Sequence, residues 1–182
     1  MALNAVYCLT VVLLFSSTQA TVTIIIDDDL RECGTGAPLP KVDISHMQII
    51  TEDDGSLTVN GTIYYNEDYG SPTRWRMNTK RLERGQWVPG IMSREVLDLC
   101  PALLQPSEIW YPVTSKLRKA DCPFKKGYEE HMDMINIGNP GELFNIPPNF
   151  VGEWQVYHEI ITTRRGLPAK ECFMTPVSIT EV

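Results

Sequence analysis

LTVNGTIYY, residues Leu57–Tyr65, alternates between two kinds of side chain. The odd-numbered positions share one face and include Leu57, Val59 and Ile63, whereas the even-numbered positions are Thr, Asn or Tyr. A period of two residues is typical of a β-strand with one buried face. The strand also contains the N-glycosylation sequon Asn60-Gly61-Thr62, and the alternation places Asn60 on the more polar face, where a glycan can be attached.

Other segments alternate in the same way and extend the prediction to a β-rich domain. Strands are predicted at residues 41–50, 74–82, 128–137, 153–163 and 172–180, with a hairpin turn at 83–86. The periodicity becomes helical at 93–104, where Ser93 is a candidate N-cap, and at 108–119, where Pro112 interrupts it. This order predicts an all-β fold, an antiparallel sandwich or cup with a short helical flap.

Residues 1–20 have the composition of a secretory signal peptide. They carry no charged side chain, an apolar run at 6–15, and the small residues Thr18 and Ala20 at the −3 and −1 positions of a cleavage site. That run is too short for a membrane span, which needs about 20 residues. We therefore expect a secreted, extracellular protein without stable membrane insertion, whose residues 21–182 form a single domain.

Charge and cysteine content argue against several kinds of site. The net charge of −7 disfavours a nucleic-acid partner, and the acidic runs at 27–29 and 52–54 offer too few spaced oxygen ligands for calcium. Four cysteines remain once Cys8 leaves with the signal peptide, so two disulfides are expected, with three pairings open. Their spacing does not match a zinc site, and neither a metal nor a cofactor is expected.

The segment Cys122-Pro123-Phe124-Lys125-Lys126-Gly127 resembles the C-P-F-K-x-G segment of the lysosomal ganglioside activator, a protein of the ML (lipid-recognition) superfamily or a close structural cousin of it. Further segments are similar to that family in the same order: Cys33, Val96-Leu97-Asp98-Leu99-Cys100, the proline-containing loop at 144–150, Gly152-Glu153-Trp154-Gln155-Val156 and Cys172-Phe173-Met174. With its reduced set of cysteines, the chain is most similar to an insect branch that includes the CheB-type chemosensory proteins.

This resemblance implies a disulfide pairing and a function. The family joins its first cysteine to its last, and the helix cysteine to that of the C-P-F-K segment, which implies Cys33–Cys172 and Cys100–Cys122. It also implies a non-enzymatic binding protein for a lipid or small hydrophobic ligand. For the insect branch it implies a role in chemosensation, such as pheromone or contact-chemical detection.

The sequence offers little that is typical of an enzyme. It contains neither G-x-S-x-G nor H-E-x-x-H. The three histidines, His46, His131 and His158, each fall in a predicted strand without an adjacent catalytic motif. The neighbours Glu129 and Glu130 are expected to point to opposite faces of one strand, so they cannot flank one substrate bond. We therefore expect no enzymatic activity.

A ligand cavity is expected to be lined by aromatic and methionine side chains, because methionine adapts to varied shapes. The candidate ligand-binding residues are Trp75, Met77, Trp110, Tyr111, Met132, Met134, Phe144 and Trp154. A basic cluster at Lys116, Arg118, Lys119, Lys125 and Lys126 is either a solvated loop or a mouth that attracts anionic head groups. The alternative function is a secreted protein with a filled core that contacts a receptor through its surface.

Overall fold

The computed structural model describes residues 22–26, 30–164 and 166–181. The expected signal peptide, Cys8 and the acidic run at 27–29 lie outside these residues. The described chain forms strands β1 (Val22–Ile26), β2 (Val42–Asp43), β3 (Gln48–Thr51), β4 (Leu57–Tyr65), β5 (Arg74–Glu83) and β6 (Gln86–Val96), helices α1 (Leu99–Ala102) and α2 (Tyr111–Thr114), strand β7 (Glu129–Asn136), helix α3 (Pro140–Leu143), a 3-10 turn (Pro148–Phe150), and strands β8 (Gly152–Arg164) and β9 (Leu167–Glu181).

The strands form two antiparallel sheets. The larger sheet has the order β1-β9-β8-β5-β6. In the smaller sheet β4 is central, with β2 and β3 along one edge and β7 along the other. The predicted all-β, antiparallel fold with short helices between strands is therefore confirmed.

Strand β4 has the predicted bounds, but its alternation is interrupted. A bulge between Val59 and Gly61 shifts its register against β7. Gly61 has a φ of 125°, and a Cβ there would lie 2.1 Å from the carbonyl oxygen of His46, so only glycine fits. Thr58, on the face predicted to be polar, is buried, whereas Asn60 is half-buried and its Oδ1 accepts a hydrogen bond from the backbone of Met134 at 3.4 Å. Glycosylation of Asn60 remains a prediction.

Several predicted elements match and others need correction. The hairpin turn at 83–86 forms as expected, with Arg84 and Gly85 both at positive φ. The predicted strand 41–50 divides into β2 and β3 around a turn closed by a hydrogen bond from Met47 N to Ile44 O, so His46 lies in a turn and not in a strand. Strand β1 was not predicted.

The predicted helix at 93–104 is wrong in its first half. Ser93 is no N-cap, because residues 93–96 continue β6 and pair with β5. The helix begins after Asp98, whose side chain accepts a hydrogen bond from the backbone N–H of Cys100 at 3.2 Å. Of the predicted helix at 108–119, only α2 forms, with Pro112 in its first turn.

Two disulfides tie these elements together. Cys33 pairs with Cys172 and Cys100 with Cys122, with Cα atoms 5.9 Å and 5.5 Å apart. These are the pairs that the resemblance implies. The first attaches the segment after β1 to β9, and the second attaches α1 to the chain before β7.

The core consists of two hydrophobic clusters at different points along β8. The first contains Val22, Ile24, Trp154 and Ile179, with Phe150 stacked on Trp154 at a centroid distance of 5.6 Å. The second contains Tyr69, Leu103 and Phe124. Residues 97–128, which include α1 and α2 and connect β6 to β7, are called the helical flap below. Partly buried side chains of both sheets and of the helical flap pack against the second cluster, among them Tyr65, Ile160 and Trp110. Between Trp154 and Ile160, β8 passes from one cluster to the other.

Candidate functional site

The strand register defines which side chains share the inner face of the larger sheet. Residues opposite each other on neighbouring strands point to the same face. Both core clusters lie on one face, which we call the inner face. Across β5, β8 and β9 this face carries four rows, Trp75–Ile160–Glu171, Met77–His158–Phe173, Thr79–Val156–Thr175 and Arg81–Trp154–Val177.

The second of these rows is the least covered. Each of the other three has at least one buried member, for example Trp75, Thr79 or Trp154. Met77, His158 and Phe173, which we call the central row, are all half-buried. A close-packed sandwich covers the middle of its inner face completely. The partial exposure of the central row therefore indicates that the two core clusters leave this row incompletely covered.

Aromatic rings surround His158 in the central row. Its ring stacks on Phe173 with centroids 4.4 Å apart and lies 5.6 Å from Trp75. Trp75 in turn makes an edge contact with Trp110 of the helical flap at 4.9 Å. The indole N–H of Trp110 donates a hydrogen bond to the carbonyl of Ala102 in α1 at 3.0 Å, which fixes the flap beside this site. The result is a site with aromatic walls and one imidazole.

A cleft of about 210 Å³ lies at the β6 end of the central row. Met77 and Arg94, which oppose each other across β5 and β6, line it from the inner face. Its other lining residues alternate to the opposite face of the sheet, namely Arg76, Asn78, Ser93 and Glu95. The Arg94 guanidinium is held by buried Glu108 of the flap, at 2.5 Å from Nη2 to Oε1 and 3.2 Å from Nε to Oε2. The positive charge of Arg94 is therefore already paired.

The eight side chains predicted to line a cavity do not lie around one space. Met77 lies in the central row, Trp75 lies in the neighbouring row, and Trp110 contacts Trp75. Tyr111 is the first residue of α2. The other four lie elsewhere: Met132 is buried on β7, Met134 and Phe144 are exposed, and Trp154 is buried in the first cluster beside a smaller cleft of about 70 Å³. Alternation assigns a residue to a face of a strand but not to a row.

His158 and Phe173 belong to the site, although neither is among the candidate ligand-binding residues that the sequence predicts. The sequence alone favours an ordinary strand histidine at position 158, and it presents Phe173 only as the neighbour of Cys172. The available signal was parity: His158 shares its parity with Trp154 on β8, and Phe173 shares its parity with Val177 on β9. Strand pairing is needed to bring them together.

The basic cluster is largely neutralised. Lys125 pairs with Asp68 at 3.0 Å, Lys119 with Asp121 at 3.6 Å, and Arg118 with Glu130 at 3.5 Å. Glu130 is fully buried. Burial opposes its ionisation, but hydrogen bonds from the Tyr128 hydroxyl and from the backbone N–H groups of Arg118 and Lys119 outweigh it and lower the pKa of Glu130. These pairings favour a structural role for the cluster over a mouth for anionic head groups.

The three histidines lie in different surroundings. His46 is exposed in its turn, and His131 on β7 shares a hydrogen bond of 2.9 Å with Thr62. His158 lies between aromatic rings in the central row, and burial lowers its pKa to about 4. Its imidazole is therefore neutral at physiological pH.

The low pKa of His158 predicts an acid-sensitive fold. The unfolded chain binds a proton near pH 6.5 and the folded protein only near pH 4, so the stabilisation is present above pH 6.5 and is lost as the pH falls through this window. We expect the free energy of unfolding, measured with urea, to be about 2 kcal/mol lower at pH 5 than at pH 7. His158→Phe should remove most of this difference and His131→Asn should keep it. An equal pH dependence in both variants would contradict the prediction.

The described part of the chain has no helix long and apolar enough to cross a membrane. Within the same residues, no three or more His, Cys, Asp or Glu side chains are grouped so that they could hold a metal ion. No protein-family model matches the sequence, and the comparison with curated proteins gives no match.

Proposed function

We propose that this protein is a secreted, non-enzymatic carrier that holds a lipid or small hydrophobic ligand on the inner face of its larger sheet. The observation that supports it is the half-buried central row of Met77, His158 and Phe173 between two buried clusters. Apolar surface left partly open inside a fold is favourable to cover, at about 25 cal/mol per Å². An apolar ligand that lies against the central row would cover it.

We also propose kinship with the ML lipid-recognition superfamily, nearest to the insect CheB-type branch, and with it a role in chemosensation. The support is the antiparallel two-sheet fold together with the disulfides Cys33–Cys172 and Cys100–Cys122, both of which the resemblance implies. The disulfides support secretion as well, because such bonds persist in oxidising compartments.

Filling the space beside the central row tests the carrier function. Met77→Trp places an indole in the central row, so we expect a fluorescent naphthylamine probe to bind about tenfold more weakly or not at all. The melting temperature should hardly change, because the indole occupies open space. In a closed core the same change would overpack the interior and cost about 1–3 kcal/mol.

Met134→Trp is the matched control, because the same exchange occurs at a side chain that is 56% exposed on β7. It should leave probe binding and stability unchanged. The proposal fails if the unmodified protein does not bind the probe and Met77→Trp lowers the melting temperature strongly.

A surface interaction with a receptor is the second candidate function. Strand β6 lies at the end of the larger sheet, and Ile91 on it is 79% exposed, with Leu97 just beyond it 74% exposed. Apolar side chains this exposed beside an unpaired strand edge favour contact with another protein. Under this alternative, Ile91→Lys abolishes binding of the protein to its receptor, while binding of the naphthylamine probe stays intact. Met77→Trp has no effect on receptor binding.

A further inference from the structure

His158 is a polar group set into the floor of an apolar site. It lies in the middle of the central row, between Met77 on β5 and Phe173 on β9. Phe173 stacks on a face of the imidazole with an angle of 12° between the two ring planes. Stacking covers the ring face and leaves the ring edge, which carries both nitrogens, for other contacts.

Neither imidazole nitrogen of His158 has a hydrogen-bond partner among the residues that the structure describes. The rings around it, Phe173 and Trp75, present aromatic carbon surface. Neither nitrogen is a fully buried polar atom, so both keep some contact with solvent. An apolar ligand that covers them without forming a hydrogen bond removes that hydration at a cost in free energy. A neutral imidazole offers one donor and one acceptor, so a single hydroxyl or carbonyl oxygen can satisfy one of its nitrogens.

Two of the arginines on the same face are already paired with carboxylates, and the third, Arg81, lies two rows away from His158. Arg94 is bonded to Glu108, and Arg164 forms an ion pair of 2.7 Å with Glu171. Arg81 donates to the backbone carbonyl of Val151 at 2.9 Å and lies over the ring of Trp154. Burying a carboxylate or phosphate without an unpaired cation is unfavourable. These contacts disfavour a charged head group beside the central row.

We propose that His158 hydrogen-bonds a neutral oxygen, a hydroxyl or a carbonyl, of an otherwise apolar ligand whose chain lies against Met77, Phe173 and Trp75. This inference rests on the proposed carrier function. It narrows the ligand class to long-chain alcohols, esters or ketones and makes fatty-acid anions the weaker ligands.

Four ligands with the same twelve-carbon chain test this selectivity for a neutral oxygen: dodecanol, methyl dodecanoate, dodecane and dodecanoate. The affinity of each is measured by displacement of the naphthylamine probe at neutral pH. We expect the alcohol and the ester to bind about three- to tenfold more tightly than dodecane, which corresponds to one net hydrogen bond. Dodecanoate should bind more weakly than dodecanol.

Two variants test whether the imidazole of His158 causes the preference for the alcohol and the ester over dodecane. His158→Phe keeps an aromatic ring for stacking but removes both nitrogens, so the ratio of alcohol to dodecane affinity and the ratio of ester to dodecane affinity should fall to about one. His158→Gln should keep part of the preference, because its amide also donates and accepts. The ratio of alcohol to alkane affinity is the readout, since a purely structural role of His158 would change both affinities together.

Three results would count against the inference in different ways. An unchanged alcohol preference in His158→Phe would overturn the role of His158 and leave the carrier function standing. Tighter binding of dodecanoate than of dodecanol would overturn the neutral ligand class. Failure of the folded, unmodified protein to bind the probe would overturn the carrier function itself.

Discussion

Replacing Cys33 and Cys172 by serine is expected to lower the free energy of unfolding by about 5 kcal/mol, the largest effect of any change considered for this protein. The two cysteines are 139 residues apart in sequence, and a cross-link over so long a loop strongly restricts the unfolded chain. The bridge also holds a segment that pairs with β9 only locally, through Arg31 with Met174 and Pro38 with Cys172. Urea unfolding at neutral pH measures the loss.

The second disulfide is the matched control for this prediction. Cys100 and Cys122 are 22 residues apart, so their replacement by serine should cost less, about 3 kcal/mol. A larger loss for the Cys100–Cys122 variant than for the Cys33–Cys172 variant would show that loop length does not govern the stabilisation here.

Replacing Glu171 by leucine is expected to destabilise the fold by about 3 kcal/mol. Glu171 is 1% exposed, accepts a hydrogen bond of 2.7 Å from the Tyr69 hydroxyl, and pairs with Arg164 at 2.7 Å. Burial opposes the charge on Arg164, but the carboxylate of Glu171 outweighs it and raises the pKa of Arg164. The leucine leaves the guanidinium without its anion and the hydroxyl without its acceptor. Because the Arg164 side chain keeps a quarter of its surface exposed, the expected cost is at the lower end for a broken buried pair.

The double variant Arg164→Leu, Glu171→Leu separates the cost of an unpaired guanidinium from the cost of losing the other contacts of Glu171. Removing both charges should recover part of the lost stability, since no unpaired charge remains. Asp68→Asn breaks the exposed pair with Lys125 and should cost much less stability than Glu171→Leu, because solvent screens this pair. Equal losses for Glu171→Leu and Asp68→Asn would contradict the assigned role of the buried pair.

The sequence by itself determined the β-rich class, most strand positions and the hairpin turn. Strand β4 has the predicted bounds, because a half-buried strand must alternate, and the turn at 83–86 follows from the glycine that a tight hairpin requires. The apolar spacing at 93–104 was misleading. Val96, Leu97, Cys100 and Leu104 fit a helix, but pairing with β5 holds residues 93–96 in a strand, and helix spacing cannot reveal a partner strand.

Only the tertiary structure decided which of the candidate residues form a site. Trp75 and Met77 were identifiable because strand parity places them on the same face, and both reach the inner face of the sheet. His158 and Phe173 join them only through the registers of β5 with β8 and of β8 with β9, which bring together residues about 80 to 100 positions apart. Whether that row is covered depends on where the two core clusters end. Exposure of a row is set by packing between distant elements, and the period of a single strand carries no information about it.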